Sequence, residues 1–410
     1  MIVLGIAGKP NVGKSTFFMA STLAPAEIAP YPFTTISPNI GIAHVRVRCA
    51  CCDIREGSSD HCGSCIDGNR FIPVQLIDVA GLVKGAHEGR GLGNEFLDDL
   101  RRAEVIIHVV DASGSTDADG NPVGAGEHDP VEDIISFEKE FKLWILNILK
   151  RNWRKIERKA SLENTDIEPL IAEQLAGVGV SEVDVKVAIS RAGISDKKAE
   201  NWSDDEIESL AHHILHVSKR MIIAANKADI APDENIERIR SFVSGELARD
   251  TDDTDIAVIP CSAEAELALR RASERGIVRY LPGDEDFEII GELTEEQRKA
   301  LMKIREFMHK NGGTGVQKII NYAVLNILHY IVVYPVEDEH KFSDSSGRIL
   351  PDAFLMKKGS TARDLAFAVH TDIGKGFLFA VDARTKRRLG ERYELKDGDI
   401  IKIVHSSRSS

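Results

Sequence analysis

The sequence lacks any long hydrophobic run. None of its apolar stretches approaches the length of about 18 residues that a membrane-spanning helix needs. A basic leader and a cleavage site are absent as well, so the apolar start at residues 2–7 is expected to form a strand rather than a signal peptide. With 43% hydrophobic and 29% charged residues among 410, the composition is that of a globular protein of about two or three domains. We therefore expect a cytoplasmic protein with no membrane partner.

Positive charge is in short supply. The chain has 52 Lys and Arg against 65 Asp and Glu, which gives a formal net charge of -13. Because neutralising phosphates requires clustered cations, this deficit excludes a protein that coats nucleic acid with its whole surface. The deficit is not uniform, since residues 331–410 hold 14 Lys and Arg against 12 Asp and Glu. The C-terminal part is therefore where a contact with RNA is expected.

The first motif with chemical meaning follows the apolar start directly. Residues 8–15 read G-x-x-x-x-G-K-S, the pattern of a loop that holds nucleotide phosphates between a strand and a helix. Lys14 is expected to reach the β and γ phosphates, and the Ser15 hydroxyl is expected to ligate Mg²⁺. The other predicted nucleotide contacts come from backbone N–H groups and the positive end of the helix, at Gly8, Asn11, Val12, Gly13 and Thr16.

A second motif predicts a Mg²⁺ carboxylate and a γ-phosphate sensor. After an apolar strand, the chain reads D-x-x-G from Asp78 to Gly81. Asp78 is expected to hold Mg²⁺ through water, and the Gly81 N–H is expected to donate to the γ phosphate. Between the two motifs, Thr35 is the predicted threonine ligand of Mg²⁺, and Thr34 is the alternative.

A third motif predicts guanine recognition. An apolar strand ends in N-K-x-D, with Asn226, Lys227 and Asp229 at the specified positions. The Asp229 carboxylate only accepts hydrogen bonds and matches the N1–H and N2–H donors of guanine, whereas adenine presents an unprotonated ring nitrogen there. Sites of this kind reject the wrong partner by roughly 10⁴. A later strand leads to Ser262 and Ala263, a segment whose backbone is expected to contact the guanine oxygen.

Together these residues resemble the Obg superfamily of GTPases and, within it, the YchF-type branch in its archaeal form. The resemblance covers nearly the whole chain and rests on residues 8–16, 31–39, 78–101, 226–229 and 370–377. It implies an α/β fold in which a P-loop G domain, with a mostly parallel sheet and helices on both faces, is interrupted by a helical arm and followed by a β-grasp (TGS) domain. The implied ranges are 1–126 for the first part of the G domain, with a cysteine-rich hairpin at 46–72, then 127–218 for the arm, 219–328 for the second part and 329–410 for the TGS domain.

The resemblance also implies a function. We therefore expect this chain to bind GTP and GDP with Mg²⁺, to hydrolyse GTP, and to contact the ribosome or another RNA through the arm and the TGS domain. Many YchF relatives have a degraded base-reading motif and prefer ATP, whereas this chain retains Asp229 and is interpreted as a GTPase. Two alternatives stay open: an ATP-preferring ATPase, and a ribosome-binding or RNA-binding module in which the nucleotide only permits docking and turnover is negligible.

The catalytic machinery departs from that of Ras-like enzymes, because Leu82 stands where those have the glutamine that orients the attacking water. Lys14 and Gly81 remain the expected catalytic contacts with the γ phosphate. Asn11 is a further candidate, since in similar proteins the phosphate-loop asparagine helps to bind K⁺, a cation that neutralises charge in the transition state. We therefore expect slow hydrolysis that K⁺ accelerates.

A histidine is the other catalytic candidate. His108 matches a histidine proposed as catalytic in YchF-type proteins. It also lies in an apolar pattern typical of a buried strand, where a core histidine is the alternative interpretation. His87, in a glycine-rich stretch, is a weaker candidate.

Five of the six cysteines lie between residues 49 and 65. They include two C-x-x-C pairs at the tip of a predicted hairpin, a pattern that is compatible with a tetrahedral zinc site. Cys51 and His61 are alternative ligands, and thiols without metal are the alternative interpretation. The predicted Zn²⁺ ligands are Cys49, Cys52, Cys62 and Cys65.

Overall fold

The computed structural model divides the described chain into two compact units. The described residues are 1–23, 39–54, 62–79, 101–163, 165–248 and 256–406. The first unit holds those in 1–43 and 74–319, and the second holds those in 44–73 and 320–406. Six residues considered above lie outside the described ranges, namely Thr34, Thr35, His61, Gly81, Leu82 and His87.

The described strands form two large sheets and a two-stranded ribbon. In chain order they are β1 (Val3–Ala7), β2 (Ile40–Arg48), β3 (Asn69–Asp78), β4 (Val105–Asp111), β5 (Arg220–Asn226), β6 (Ala257–Pro260), β7 (Val278–Arg279), β8 (Glu288–Ile289), β9 (Tyr330–Val336), β10 (Phe354–Lys357), β11 (Phe377–Asp382), β12 (Arg388–Leu389) and β13 (Ile400–His405).

Helices whose bounds are described account for much of the rest. In chain order they are α1 (Lys14–Thr22), α2 (Cys51–Ile54), α3 (Pro130–Glu163), α4 (Ile167–Leu175), α5 (Glu182–Arg191), α6 (Asp204–Ser218), α7 (Asp233–Phe242), α8 (Ala263–Glu274), α9 (Glu295–Asn311), α10 (Val316–Asn321), α11 (Ala362–Val369) and α12 (Thr371–Lys375). Within the described ranges, no helix combines the length and apolar character required to cross a membrane.

The six-stranded sheet has the order β2-β3-β1-β4-β5-β6. β1 lies parallel to β3 and β4, and β5 lies parallel to β4 and β6. β4 is buried at every position, as expected for a parallel strand whose two faces are both covered. Because parallel strands end at the same edge, β1, β4 and β5 bring their carboxyl ends, and the motifs that follow them, to one side of the sheet. The predicted α/β G-domain architecture is confirmed.

Helices α3 to α6 occupy the segment predicted as the helical arm. Ser181 and Ser203 begin α5 and α6 with capping boxes, in which each serine accepts from the backbone N–H three residues on. Apolar side chains of these helices, including Phe141 and Leu210, share one continuous core with sheet residues such as Ile106. The helices are therefore part of the folded core of the first unit. The role of this segment as a partner-binding arm stays a prediction.

The second unit contains a five-stranded mixed sheet of order β10-β9-β13-β11-β12. β9 and β13 are parallel, and the remaining neighbours are antiparallel. A capping box at Thr361 starts α11, whose Leu365 and Ala366 are fully buried in one core with Ile401 of β13. This combination of a mixed sheet and a crossing helix is the predicted β-grasp arrangement.

The cysteine-rich hairpin is placed differently from the predicted domain boundary. The sequence assigned residues 46–72 to the G domain, whereas the structure groups residues 44–73 with the second unit. Cys49, Cys51 and Cys62 are buried in one core cluster with Tyr334 and Leu350. The hairpin tip is too short to form a core of its own, so its apolar and sulfur-bearing side chains pack against the β-grasp domain.

Candidate functional site

The loop after β1 has a backbone that only glycine tolerates at two positions. Gly8 and Gly13 adopt φ angles of 146° and 98°. A Cβ atom would lie 2.4 Å from the Val109 carbonyl oxygen at Gly8, and 2.3 Å from Asn226 Nδ2 at Gly13. The two fixed glycines of the motif are therefore required by close approach as well as by backbone conformation. Asn11 shares the left-handed region, with a φ of 62°.

Lys14, Ser15 and Asp78 form the polar floor of this loop. Ser15 Oγ lies 3.3 Å from Asp78 Oδ2, and Lys14 Nζ donates to the Lys9 carbonyl oxygen at 2.7 Å. Burial lowers the pKa of Lys14, an effect that the Asp78 charge opposes. Burial also raises the pKa of Asp78, while Lys14 and Ser15 lower it.

This donor set fits Mg²⁺. A carboxylate and a hydroxyl are oxygen ligands of the kind that Mg²⁺ prefers, and a partly desolvated carboxylate gains stability from a nearby cation. Asp78 and Ser15 are the two predicted Mg²⁺ ligands among the described residues, and their role as ligands stays a prediction. The third predicted ligand, Thr35, and the γ-phosphate contact of Gly81 lie outside the described residues and stay predictions.

Asn226 joins the phosphate loop to the guanine motifs. Its Nδ2 donates to the Val12 carbonyl oxygen at 2.8 Å, and its Oδ1 accepts from the Ala263 N–H at 3.0 Å. Ser262 is buried and caps α8 by accepting from the Ala265 N–H. One buried amide thus fixes two binding segments relative to each other.

Asp229 is exposed three residues beyond Asn226. Burial raises the pKa of Cys261, and the charge of Asp229 adds to the effect, which places that carboxylate close to the 261–263 segment. An exposed carboxylate close to this segment only accepts hydrogen bonds and has two oxygens to offer. It can therefore accept two hydrogen bonds from a base.

Asp111, at the end of β4, is a site residue that the sequence interpretation missed. Its Oδ2 accepts from Lys227 Nζ at 2.8 Å, and its carboxylate also accepts from the hydroxyls of Ser113, Ser115 and Thr116. Burial opposes ionisation of Asp111, but the bonds from Lys227, Ser113 and Thr116 outweigh it and lower its pKa. The available signal was its position after a buried strand, between the strands that carry the two nucleotide motifs.

The segment after β4 also braces the phosphate loop. Lys9 Nζ donates to the Thr116 carbonyl oxygen at 2.9 Å and lies 2.8 Å from Asp133. Asn11 Nδ2 donates to the Gly120 carbonyl oxygen at 2.9 Å. The Asn11 amide nitrogen is therefore engaged by this segment, which orients the side chain.

His108 lies in the core of the first unit. It is 1% exposed and stacks on Phe137 with ring centroids 4.3 Å apart. Burial, followed by the Lys14 charge, lowers the pKa of His108 to about 3. The ring is therefore neutral at physiological pH and sealed by Phe137. These features favour the alternative of a core histidine, and a catalytic role stays an untested prediction.

The structure gathers four cysteine sulfurs, but one is not the residue predicted. The Sγ atoms of Cys49, Cys51, Cys62 and Cys65 all lie within 4.8 Å of one another. Cys52 is left out, because α2 begins at Cys51 and directs the Cys52 sulfur to the Gly68 carbonyl oxygen, 3.6 Å away. The alternative ligand Cys51 therefore replaces Cys52 in the cluster.

Three family models match the chain in segments that follow these features. A model described as a 50S ribosome-binding GTPase matches residues 3–148. A model described as the G4 motif-containing domain of an Obg-like, YGR210-like GTPase matches residues 224–338. A TGS domain model matches residues 347–405.

Individual relatives agree with these models. An uncharacterized GTP-binding protein of Methanocaldococcus jannaschii is 51% identical over 100% of both chains. The ribosome-binding ATPase YchF of Bacillus subtilis is 26% identical over 98% of both chains. The crystal structure of a GTP-binding protein from Pyrococcus horikoshii OT3 has 43% sequence identity and a TM-score of 0.73, and the match covers 99% of this chain and 100% of that one.

Proposed function

Because the chain belongs to the YchF/Obg-like family of P-loop GTP-binding proteins, we propose that it is a Mg²⁺-dependent GTPase whose nucleotide state controls its binding to the ribosome or another RNA. The observation that carries the proposal is the amide of Asn226, which joins the phosphate loop to the segment of Ala263. Nucleoside triphosphate hydrolysis follows from the family. What we propose beyond the family assignment is guanine as the base, Mg²⁺ and K⁺ as the cations, and the ribosome or another RNA as the partner.

The retained Asp229 supports guanine as the base. Its exposed carboxylate offers two acceptors to N1–H and N2–H of guanine, and adenine has no matching donors at those positions. Asn226 and the Lys227–Asp111 pair hold the motif in place. A second candidate is an ATP-preferring enzyme, because the Bacillus subtilis relative is named an ATPase.

Different residues of the described chain bind the nucleotide phosphates and hold the cations that neutralise their charge. The loop amides and Lys14 bind the phosphates, and Ser15 and Asp78 hold Mg²⁺, which supplies charge neutralisation on the transferred phosphoryl group when bound. Asn11 is the residue proposed to bring K⁺ to the same phosphates. Its bond to the Gly120 carbonyl supports this by leaving the amide oxygen as the atom available to a cation.

The surface charge of the C-terminal domain supports the proposal of an RNA partner. Of the basic run in residues 384–392, Arg384 lies 3.8 Å from Asp53 and Lys386 donates to the Glu339 and Ala383 carbonyl oxygens. The three remaining cations are exposed, at Arg387, Arg388 and Arg392. The family model described as ribosome-binding and the name of the bacterial relative support the ribosome as the RNA-containing partner. A ribosomal partner in turn supports the cytoplasm as the compartment.

Nucleotide competition tests the choice of base. A labelled GTP analogue bound to the full chain with Mg²⁺ is displaced by unlabelled GTP or ATP, and we expect ATP to require a concentration roughly 10⁴-fold higher. Displacement by ATP at a concentration similar to that of GTP would establish the ATPase alternative.

Single-turnover hydrolysis tests the enzyme and its cations. We expect slow hydrolysis without ribosomes, faster in K⁺ than in Na⁺, and a further increase with ribosomal subunits. Equal rates in the two salts would contradict the K⁺ proposal. Hydrolysis seen only with ribosomes would instead indicate a nucleotide-licensed binding module.

A further inference from the structure

The sulfur cluster of the second unit has the dimensions of a metal site. Cys49 Sγ lies 3.5 Å from Cys62 Sγ, and Cys51 Sγ lies 3.5 Å from Cys65 Sγ. In a tetrahedral zinc site with Zn–S bonds of about 2.3 Å, neighbouring sulfurs are about 3.8 Å apart. Two of the sulfur–sulfur distances therefore come close to the edge of such a tetrahedron, and all four sulfurs lie within 4.8 Å of one another.

Two backbone turns present these sulfurs from opposite sides. The Cys52 N–H donates to the Cys49 carbonyl oxygen at 3.1 Å, and the Cys65 N–H donates to the Cys62 carbonyl oxygen at 3.2 Å. The Cys49 N–H is held by the Gly68 carbonyl at 2.8 Å. Backbone hydrogen bonds thus help to position the cysteines of both pairs.

A buried cation stands beside the cluster. Arg70 is 4% exposed, and its Nη1 lies 3.9 Å from Cys62 Sγ. Its Nη2 donates to the Leu350 carbonyl oxygen, and its guanidinium lies over the Tyr334 ring, 5.9 Å from the centroid. A buried guanidinium needs a negative partner. Four thiolates around one dication carry a net charge of -2 and supply that partner, whereas four neutral thiols do not.

We propose that Cys49, Cys51, Cys62 and Cys65 bind one Zn²⁺ as a structural tetrathiolate site. Four protein ligands leave no position open for a substrate, and three of the four cysteines are buried. The ion holds the hairpin tip in the core that it shares with Tyr334 and Leu350 of the β-grasp domain. This proposal does not depend on the identity of the nucleotide.

Elemental analysis of adjacent cysteine variants tests the ligand set. The full chain, purified without added metal, is expected to contain about one zinc per chain. Cys51→Ser is expected to lose that zinc, and Cys52→Ser, the matched control one residue away, is expected to keep it. Zinc below about 0.2 per chain in the unmodified protein, iron in its place, or loss of zinc from Cys52→Ser would overturn the proposal.

A second measurement covers the outcome in which Cys51→Ser does not fold. Chelator-treated full chain is followed by hydrogen exchange, and we expect protection to fall in residues 44–73 and in β9. Refilling with Co²⁺ is expected to give the absorption of tetrahedral thiolate coordination. Guanine nucleotide binding, measured on the same samples, reports separately on the nucleotide site. Unchanged exchange after the metal is removed, or disulfides linking Cys49 to Cys62 or Cys51 to Cys65, would contradict a structural zinc.

Discussion

At the scale of single residues, the proposed preference for guanine rests on the hydrogen-bonding pattern of Asp229. Asp229→Asn keeps the shape and exchanges one acceptor for an NH₂ donor, which opposes N2–H of guanine and matches the 2-oxo group of xanthine. We expect GTP affinity to fall by roughly 10² to 10³ and binding of xanthosine triphosphate to appear. Calorimetric titration with both nucleotides measures the exchange.

Measuring the affinities for both nucleotides distinguishes a change in base recognition from a loss of folding. In a variant that melts like the unmodified protein, loss of GTP binding without any gain for xanthosine triphosphate would count against base reading by Asp229. The matched control is Asp233→Asn, an exposed carboxylate four residues on that pairs with Lys310. It is expected to leave both affinities unchanged.

His108 provides a second residue-scale prediction, on pH. The folded side chain stays neutral down to a pKa of about 3, whereas an unfolded histidine takes up a proton below about pH 6.5. The unfolded state therefore binds more protons between these values, and the free energy of unfolding falls as the pH drops below 6.5. We expect His108→Phe, which keeps a ring against Phe137, to reduce the loss of stability between pH 6.5 and 5 by about 1 to 2 kcal/mol in urea unfolding.

The same variant decides the catalytic question. A core histidine predicts hydrolysis per bound nucleotide within about twofold of the unmodified protein. A drop of about 10² or more, with nucleotide affinity unchanged, would establish the catalytic prediction instead.

Residue types in fixed spacing were sufficient to predict the phosphate loop and the guanine motif, because each position there is determined by local geometry. Gly13 shows this, since its φ of 98° is a backbone conformation that glycine adopts readily and other residues do not. Asp111 and Cys51 were not predictable in this way. The partner of Asp111 lies 116 positions away, and the choice between Cys51 and Cys52 depends on where a one-turn helix begins.

At the scale of elements, the segment between β4 and α3 acts as a brace for the phosphate loop. Gly120 and Gly126 both have left-handed backbones, with φ angles of 87° and 84°. A Cβ at Gly120 would lie 2.7 Å from the Pro10 carbonyl oxygen, whereas among the described atoms none lies within 4 Å of a Cβ at Gly126. The two positions therefore differ in contact and share the same backbone strain.

Substitutions at Gly120 and Gly126 are therefore expected to differ in their effect on nucleotide binding while imposing the same backbone strain. We expect Gly120→Ala and Gly126→Ala each to lower stability by about 1 to 2 kcal/mol, because both force alanine into a left-handed conformation. Only Gly120→Ala is expected to weaken nucleotide binding, by about tenfold or more, since it displaces the phosphate loop. Calorimetric affinities and thermal melting of both variants provide the measurement. Equal affinities in the two variants would show that the segment does not position the loop.

At the scale of the whole molecule, the chain divides its charge between regions. The exposed cations Arg387, Arg388 and Arg392 belong to the C-terminal domain, within a chain of net charge -13. Replacing all three by Glu is expected to weaken co-sedimentation with ribosomal subunits by at least tenfold. The slope of log affinity against log salt is expected to flatten by about 2 to 3.

The chain offers a matched control for this charge reversal. Arg298, Lys299 and Lys303 are three exposed cations on α9, outside the β-grasp domain. Their replacement by Glu makes the same change in net charge and is expected to have little effect on co-sedimentation. Equal loss in both variants would indicate a general charge effect rather than a contact surface.

The sequence predicted the two sheets and the helical insertion of the whole molecule, because periodicity and family motifs report on elements that are local in the chain. It did not predict that the cysteine hairpin belongs with the C-terminal domain. That assignment depends on contacts such as the bond from Arg70 to Leu350, between residues 280 positions apart. Such pairing leaves no local signature in composition or spacing.

The two bonds of Asn226 are also expected to influence how long a nucleotide stays bound. The same amide contacts Val12 on one side and Ala263 on the other, so losing it removes both bonds at once. Shortening that side chain, as in Asn226→Ala, is expected to remove both contacts between the segments of Val12 and Ala263 and to speed the dissociation of GDP.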